Sequence, residues 1–182
     1  MSAMTIWLLR HGETAWSRTG QHTGRTDLPL TAEGEQQARA LSARLDRPFA
    51  RVLVSPLQRA TRTAELAGLT AVPDADLVEW DYGPAEGRTT AELSVTTPWS
   101  VWADVELGET VEQVGARARR VLDALPVDGD SCLVGHGHLL RILTAVYLGL
   151  DPRSGKHFVL RPCAVAILGR EHATPAVLEW GT

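Results

Sequence analysis

The chain has 182 residues, a formal net charge of −4, 44% hydrophobic residues and 22% charged residues. That is the balance of a soluble globular protein, and the length predicts one domain over residues 1–182. The negative balance argues against a general nucleic-acid binder, and no apolar run reaches the roughly 18–20 residues that cross a bilayer. The first ten residues lack the basic start and long apolar centre of a secretory leader. Cys132 and Cys163 form no CxxC pair and are expected as buried free thiols of a cytoplasmic chain. All the basic residues except Lys156 are arginine, a side chain that forks onto phosphate or carboxylate oxygens.

Strand-like and helix-like stretches alternate. Thr5–Leu9 is a short apolar run and reads as a buried strand. Thr31 is placed to cap a helix with acids in its first turn, and Ala38, Leu41 and Leu45 recur at helical spacing up to Pro48. Arg51–Val54 is a second strand. Pro56 suits a helix start, with the helix running to Gly68. Val72–Val78 is a weaker extended stretch, Thr89–Ser94 a short helix and Glu109–Leu125 a long one. Ser131–Val134 is a third strand, followed by a helix from His138 to Leu148. Phe158–Leu160, Cys163–Leu168 and Ala176–Trp180 read as strands. The alternation predicts an α/β fold with a mainly parallel sheet covered on both faces. The final strands leave no room for crossover helices, so they predict antiparallel or edge pairing, which permits a homodimer. The irregular stretch Trp80–Gly108 reads as an insertion over one edge of the sheet.

In open α/β sheets, ligands bind beyond the carboxyl ends of the strands. The first strand ends in Arg10-His11-Gly12-Glu13. The second ends in Ser55-Pro56 with Arg59 close behind, and the third in Gly135-His136-Gly137-His138. Parallel strands would gather Arg10, His11, Arg59 and His136 at one edge. Gly12, Gly135 and Gly137 let backbone approach a bound group, and the helix N-termini favour an anion. Two arginines and two histidines in an anion pocket suit phosphoryl transfer, which rests on positioning and charge stabilisation. A neutral imidazole can attack phosphorus, and a carboxylic acid must protonate the leaving oxygen. Glu13, Glu79, Asp81, Glu86 and Glu109 are the candidates for that acid. His136 and His138 with His11 or His22 complete no familiar metal spacing, so no metal is expected.

The ordered set of motifs resembles the histidine phosphatase superfamily, also called phosphoglycerate mutase-like. Leu9–Thr14 matches its Arg-His-Gly signature. Gly20–Thr31, Ser55–Thr63, Glu79–Gly87, Gly108–Thr110 and Gly135–Arg141 follow in order. The resemblance implies a three-layer α/β/α fold around a mixed, mostly parallel sheet. It implies His11 as the nucleophile that becomes phosphohistidine and Glu79 as the proton donor. Arg10, Arg59 and His136 would hold the phosphoryl group, while Thr23, Gly24 and Gly137 would line the substrate side. No metal or cofactor is implied for the phosphoryl step, and the partner is a small-molecule phosphomonoester. TGRTDLPLT, EWDYGPAEG and the Trp99 and Trp102 region resemble the sedoheptulose-bisphosphatase branch and compact actinobacterial acid phosphatases. Ser17 stands where mutases carry Asn, and there is little room for the mutases' longer inserts. Hydrolysis is therefore expected, ahead of mutase-type transfer or a non-catalytic phospho-ligand binding module.

His11 is expected to attack through Nε2 while its other ring nitrogen donates to a backbone carbonyl. Burial beside Trp80 is expected to favour neutral Glu79, with better activity on the acid side of neutral. Specificity is expected from Trp80–Gly108 and from Gln21–Thr26. Trp99 and Trp102 are read as anchors, and Arg18, Arg25 and Arg88 as solvated charges.

Overall fold

The computed structural model describes residues 4–103 and 105–182. Residues 1–3, the start of the stretch read for a leader, and Asp104, inside the irregular stretch, lie outside the described residues. The strands are β1 (Ile6–Arg10), β2 (Arg51–Val54), β3 (Val72–Pro73), β4 (Ser131–Gly135), β5 (Val165–Glu171) and β6 (Thr174–Trp180). They form one sheet in the order β3-β2-β4-β1-β5-β6. The pairs from β3 to β1 are parallel, and β5 and β6 add antiparallel pairs. The sheet is therefore mixed and mostly parallel, with antiparallel pairing at its C-terminal end as expected.

The α-helices are α1 (Ala15–Thr19), α2 (Ala32–Ala40), α3 (Ser42–Leu45), α4 (Gln58–Leu66), α5 (Thr90–Leu93), α6 (Val111–Asp123) and α7 (Gly137–Tyr147). Side chains alternate across each strand. Ile6, Leu8, Leu133, Ala166 and Leu168 pack with Val114, Val121, Leu139 and Leu143 of α6 and α7 on one face. Trp7, Leu9, Val134, Val165 and Ile167 pack with Leu45, Ala60 and Ala64 of α3 and α4 on the other. Each fully buried Leu or Ile contributes about 1.5–3 kcal/mol, and both faces of β1 and β4 are filled this way. Among the described residues, no helix is long and apolar enough to cross a membrane.

Several boundaries differ from the expectations. The helix expected up to Pro48 is two short helices meeting at Leu41, which closes the first and starts the second. The next helix begins at Gln58 rather than Pro56. Leu57 is extended, and Asp27 Oδ1 accepts the Gln58 N–H at 2.8 Å, so a residue far upstream sets that start. Val72–Val78 is a two-residue strand and a 3₁₀ turn over Ala75–Leu77. Phe158–Leu160 is not a strand, because side chains occupy its carbonyls: Arg10 Nη1 donates to Leu160 O and Trp180 Nε1 to Val159 O. In the stretch from Trp80, the rings of Trp80, Tyr82 and Trp102 meet His138 edge to face, just past the carboxyl end of the central strand β4. Both cysteines are free; Cys132 is buried, but Cys163 only half so.

Helix α2 lies tight against the turn after β1. A methyl group at Gly12 would sit 2.6 Å from the carbonyl oxygen of Gly34, and one at Gly34 would overlap the backbone of Glu13. Glycine within a helix costs about 1 kcal/mol against alanine, so Gly34→Ala would ordinarily stabilise. Here the overlap wins, and we expect a net loss of about 1–3 kcal/mol. A lower urea midpoint at unchanged slope, with lower turnover as the turn carrying His11 shifts, is the signature.

Candidate active site

Register brings the strand ends together. Arg10 pairs with Gly135 across β1 and β4, and Val54 with Val134 across β2 and β4. His11, Ser55 and His136 therefore leave the sheet side by side, and the rings of His11 and His136 stand 5.1 Å apart edge to face. Both imidazoles are buried. His11 Nδ1 lies 2.7 Å from Gly12 O; that nitrogen must donate, which leaves a lone pair on Nε2. Burial first, then the charges of Arg10 and Arg59, hold the imidazole of His11 neutral well below its ordinary pH. His136 Nδ1 accepts from Arg59 Nε at 3.2 Å, so its Nε2 carries the hydrogen toward Ser55 Oγ at 2.7 Å. Burial, then Arg59, keeps this ring neutral too. The turn is tied to α4 through Thr63, whose Oγ1 accepts the Gly12 N–H at 3.0 Å and donates to Arg59 O at 2.7 Å.

The two arginines differ. Arg10 gives Nη1 to Leu160 O at 2.6 Å, while its buried Nε has no partner among the described residues. Gly137 lets the backbone pass close to this guanidinium, since a Cβ there would lie 3.2 Å from its Cζ. Arg59 is fully buried and mostly committed to the fold. Beyond His136, its Nη atoms donate to the carbonyls of Thr26, Gly24 and Thr23. The carboxylate of Glu86 takes the N–H groups of Gly24 and Thr26 from the other side. Arg59 and Glu86 thus clamp the Thr23–Thr26 loop. Thr23 lines the cleft, whereas Gly24 is packed where a Cβ would come 2.5 Å from Trp80 O.

Of the five candidate acids, Glu79 alone lines the cleft. It is 5% exposed. Oε1 accepts the N–H groups of Trp80 and Leu139 at 2.9 Å, and Oε2 that of His138 at 3.0 Å. The surroundings are therefore not simply apolar, because the first turn of α7 points its free N–H groups at this carboxylate. The other four are occupied elsewhere. Glu13 accepts from Thr31, Asp81 caps Gly83, Glu86 clamps the loop and Glu109 pairs with Arg117.

The cleft has a volume of about 280 Å³ and also takes in Gln21, His22, Tyr82 and Thr90, from the two stretches expected to set specificity, and His138 and Arg141, to which the sequence reading gave no substrate role. Tyr82 and His138 were legible as part of the motifs that contain them; Arg141 closes the last one. Tyr82 Oη bonds His138 Nδ1, and burial raises the phenol and lowers the imidazole. The guanidinium of Arg141 stacks over Trp102 at 4.9 Å. Trp99 and Trp102 are part-buried against the core, as anchors are. Arg25 faces Asp81 and Glu109, Arg88 reaches Glu92 O, and Arg18 is exposed. A larger groove of about 470 Å³ beside Arg47 and Phe49 contains none of these groups. No cluster of three or more His, Cys, Asp or Glu able to hold a metal occurs among the described residues. Nδ1 of His11, both ring nitrogens of His136 and Nδ1 of His138 bond to protein groups.

The profile of the histidine phosphatase superfamily (branch 1) matches residues 6–182. An acid phosphatase of Mycobacterium tuberculosis is 40% identical over 179 residues, covering 92% of this chain and 87% of that protein. A sedoheptulose 1,7-bisphosphatase of Saccharomyces cerevisiae is 34% identical over 181 residues, covering 79% of this chain and 67% of its own length. The solved structure of a Mycobacterium tuberculosis open reading frame superposes with a TM-score of 0.90 at 37% identity, over 98% of this chain and 97% of that one. The strand ends, the cleft and these likenesses agree: the chain belongs to the histidine phosphatase superfamily, a superfamily of phosphatases.

Proposed function

We propose that this phosphatase is a metal-independent phosphomonoester hydrolase that works through phosphohistidine on small phosphorylated metabolites such as sugar phosphates. The observation that carries the reading is His11, whose Nδ1 is taken up by the backbone and whose Nε2 is left free, in one cleft with Glu79 and with Arg10, whose Nε is unpartnered among the described residues. His11 Nε2 attacks phosphorus in line, and the bond from phosphorus to the leaving oxygen breaks. Glu79 gives that oxygen a proton. Arg10, Arg59 and His136 stabilise the charge on the equatorial oxygens. Water then attacks the phosphohistidine with Glu79 taking its proton, and phosphate leaves. The polar wall of Gln21, Thr90, His22 and His138 suits a hydroxylated leaving group. The acid phosphatase and bisphosphatase relatives support small phosphate esters as the class, and the two free thiols fit a cytoplasmic setting.

Brief mixing with a ³²P-labelled sugar phosphate tests the reading. It should give a base-stable, acid-labile phosphoprotein, and chelator should leave both labelling and turnover unchanged. Loss of activity to chelator, or turnover without any labelled intermediate, counts against it. A panel of sugar monophosphates, sugar bisphosphates, nucleotides and phosphoamino acids then identifies the substrate class.

A further inference from the structure

We infer that Arg117, paired with Glu109, is a positioning residue for Glu79; the inference rests on the proposed role of Glu79 as proton donor. Arg117 lies on α6 and is 5% exposed. All its donors are matched. Nε and Nη2 fork onto the two carboxylate oxygens of Glu109, each at 3.0 Å. Nη1 donates to Asp76 O at 2.8 Å and to Val78 O at 2.6 Å, and Nη2 to Glu79 O at 3.1 Å. A guanidinium has five N–H groups in a rigid fork, and here each has its own acceptor.

Glu109 completes the grip. Its Oε2 accepts the Asp81 N–H at 3.0 Å, its own N–H donates to Asp81 O at 3.1 Å, and its carbonyl accepts Trp80 Nε1 at 2.9 Å. The backbone on both sides of Glu79 is therefore fastened to Glu109 and α6, while the carboxylate itself rests on N–H groups of α7. Helix α6 is a firm mount. A capping box at Thr110 and Gln113 closes its start, and Val111, Val114, Ala118 and Val121 are buried in the core. A buried ion pair is weak evidence for stability alone. This pair holds three carbonyls around one residue, and a lysine, with three donors on a point charge, cannot reproduce that fork.

The role predicts a dependence on the leaving group. An aryl ester such as 4-nitrophenyl phosphate releases a stabilised anion that needs little protonation, whereas a sugar phosphate releases an alkoxide that needs a proton. In single-turnover kinetics, Arg117→Lys should leave nitrophenolate release within about twofold, which also shows that the pocket and His11 are folded. It should slow phosphoryl transfer from the sugar phosphate about tenfold to a hundredfold, the scale of a misplaced catalytic group. Glu109→Gln, which keeps shape but loosens the fork, carries the same test if Arg117→Lys fails to fold. An equal fall on both esters, or no change on either, overturns the inference. Glu79→Gln run in parallel separates the two claims. If it spares the sugar phosphate, the donor assignment fails and this inference with it; if it is selective while the Arg117 and Glu109 variants are not, only the positioning role falls.

Discussion

His11→Ala is expected to abolish the phosphoenzyme and to lower turnover about 10⁴-fold or more, the scale of losing a nucleophile. The fold should survive. The hydrogen bond of the His11 ring is to the carbonyl of its neighbour Gly12, and its backbone N–H keeps Gly135 O at 2.9 Å. His136→Ala makes the contrast. That ring satisfies the Nε of fully buried Arg59 and the hydroxyl of buried Ser55. Its removal leaves buried polar groups unmatched, at about 1–3 kcal/mol each and more for the charged one. His11→Ala should therefore lose chemistry at nearly unchanged stability, and His136→Ala should lose both. Rapid-quench labelling with a denaturation midpoint separates them. If His11→Ala still labels at the wild-type rate, another residue is the nucleophile.

Acid should unfold the protein steeply. Burial holds His11, His136 and His138 neutral well below the ordinary imidazole value of 6.5. In the unfolded chain the same groups take up protons near that value. Below pH about 6.5 the unfolded state binds more protons, so stability falls as pH falls. The full stability is present above that pH and is lost until the folded-state values are reached. Each imidazole that stays neutral in the fold costs about 1.4 kcal/mol of stability for every pH unit below the ordinary value over which it does so, against the roughly 5–15 kcal/mol that holds a typical domain. The carboxylates lowered by hydrogen bonds to their partners, Glu35, Glu92 and Glu112, titrate below this window. Burial lowers His22 as well, so urea midpoints across pH should show a net uptake of protons by these four imidazoles on unfolding at the acid end. His138→Asn should remove one of those protons. A stability that is flat from pH 7.5 to 5.5 would show that these rings are charged in the fold.

The two effects bear on acid activity in opposite directions. Burial keeps His11 neutral into acid, which favours the expected acid-side turnover if His11 is the nucleophile as proposed. The fold weakens over the same range. Phosphate bound at about a hundred times its dissociation constant returns about 2.7 kcal/mol, so saturating phosphate should carry the folded state to lower pH while it competes with substrate for the site.

The strand ends were legible because they combine apolar runs with glycine and polar residues. Arg10-His11-Gly12 and Gly135-His136-Gly137 announce both a turn and a reagent. Glu79 needed the family resemblance. Its neighbours in sequence do not distinguish it from Asp81 or Glu86; its partners His138 and Leu139 come from helix α7, far along the chain. Arg59 was legible as a site residue, but not that most of its donors fasten the Thr23–Thr26 loop. Arg117 was invisible for the same reason, since an arginine on an amphipathic helix looks solvated until its acceptors are known. Phe158–Leu160 misled because its apolar pattern is real, while its carbonyls are taken by Arg10 and Trp180.

The pairing of Arg10 with Gly135 has a bearing on how preparations are judged. A slip of one residue between β1 and β4 would carry His11 about 3.3 Å along the strand and reverse its face. Such a chain keeps much of its helix and sheet signal yet has no site. Spectroscopic yield and functional yield are therefore separate quantities for this protein after refolding, and titration of the proposed phosphohistidine is expected to count the correctly registered molecules.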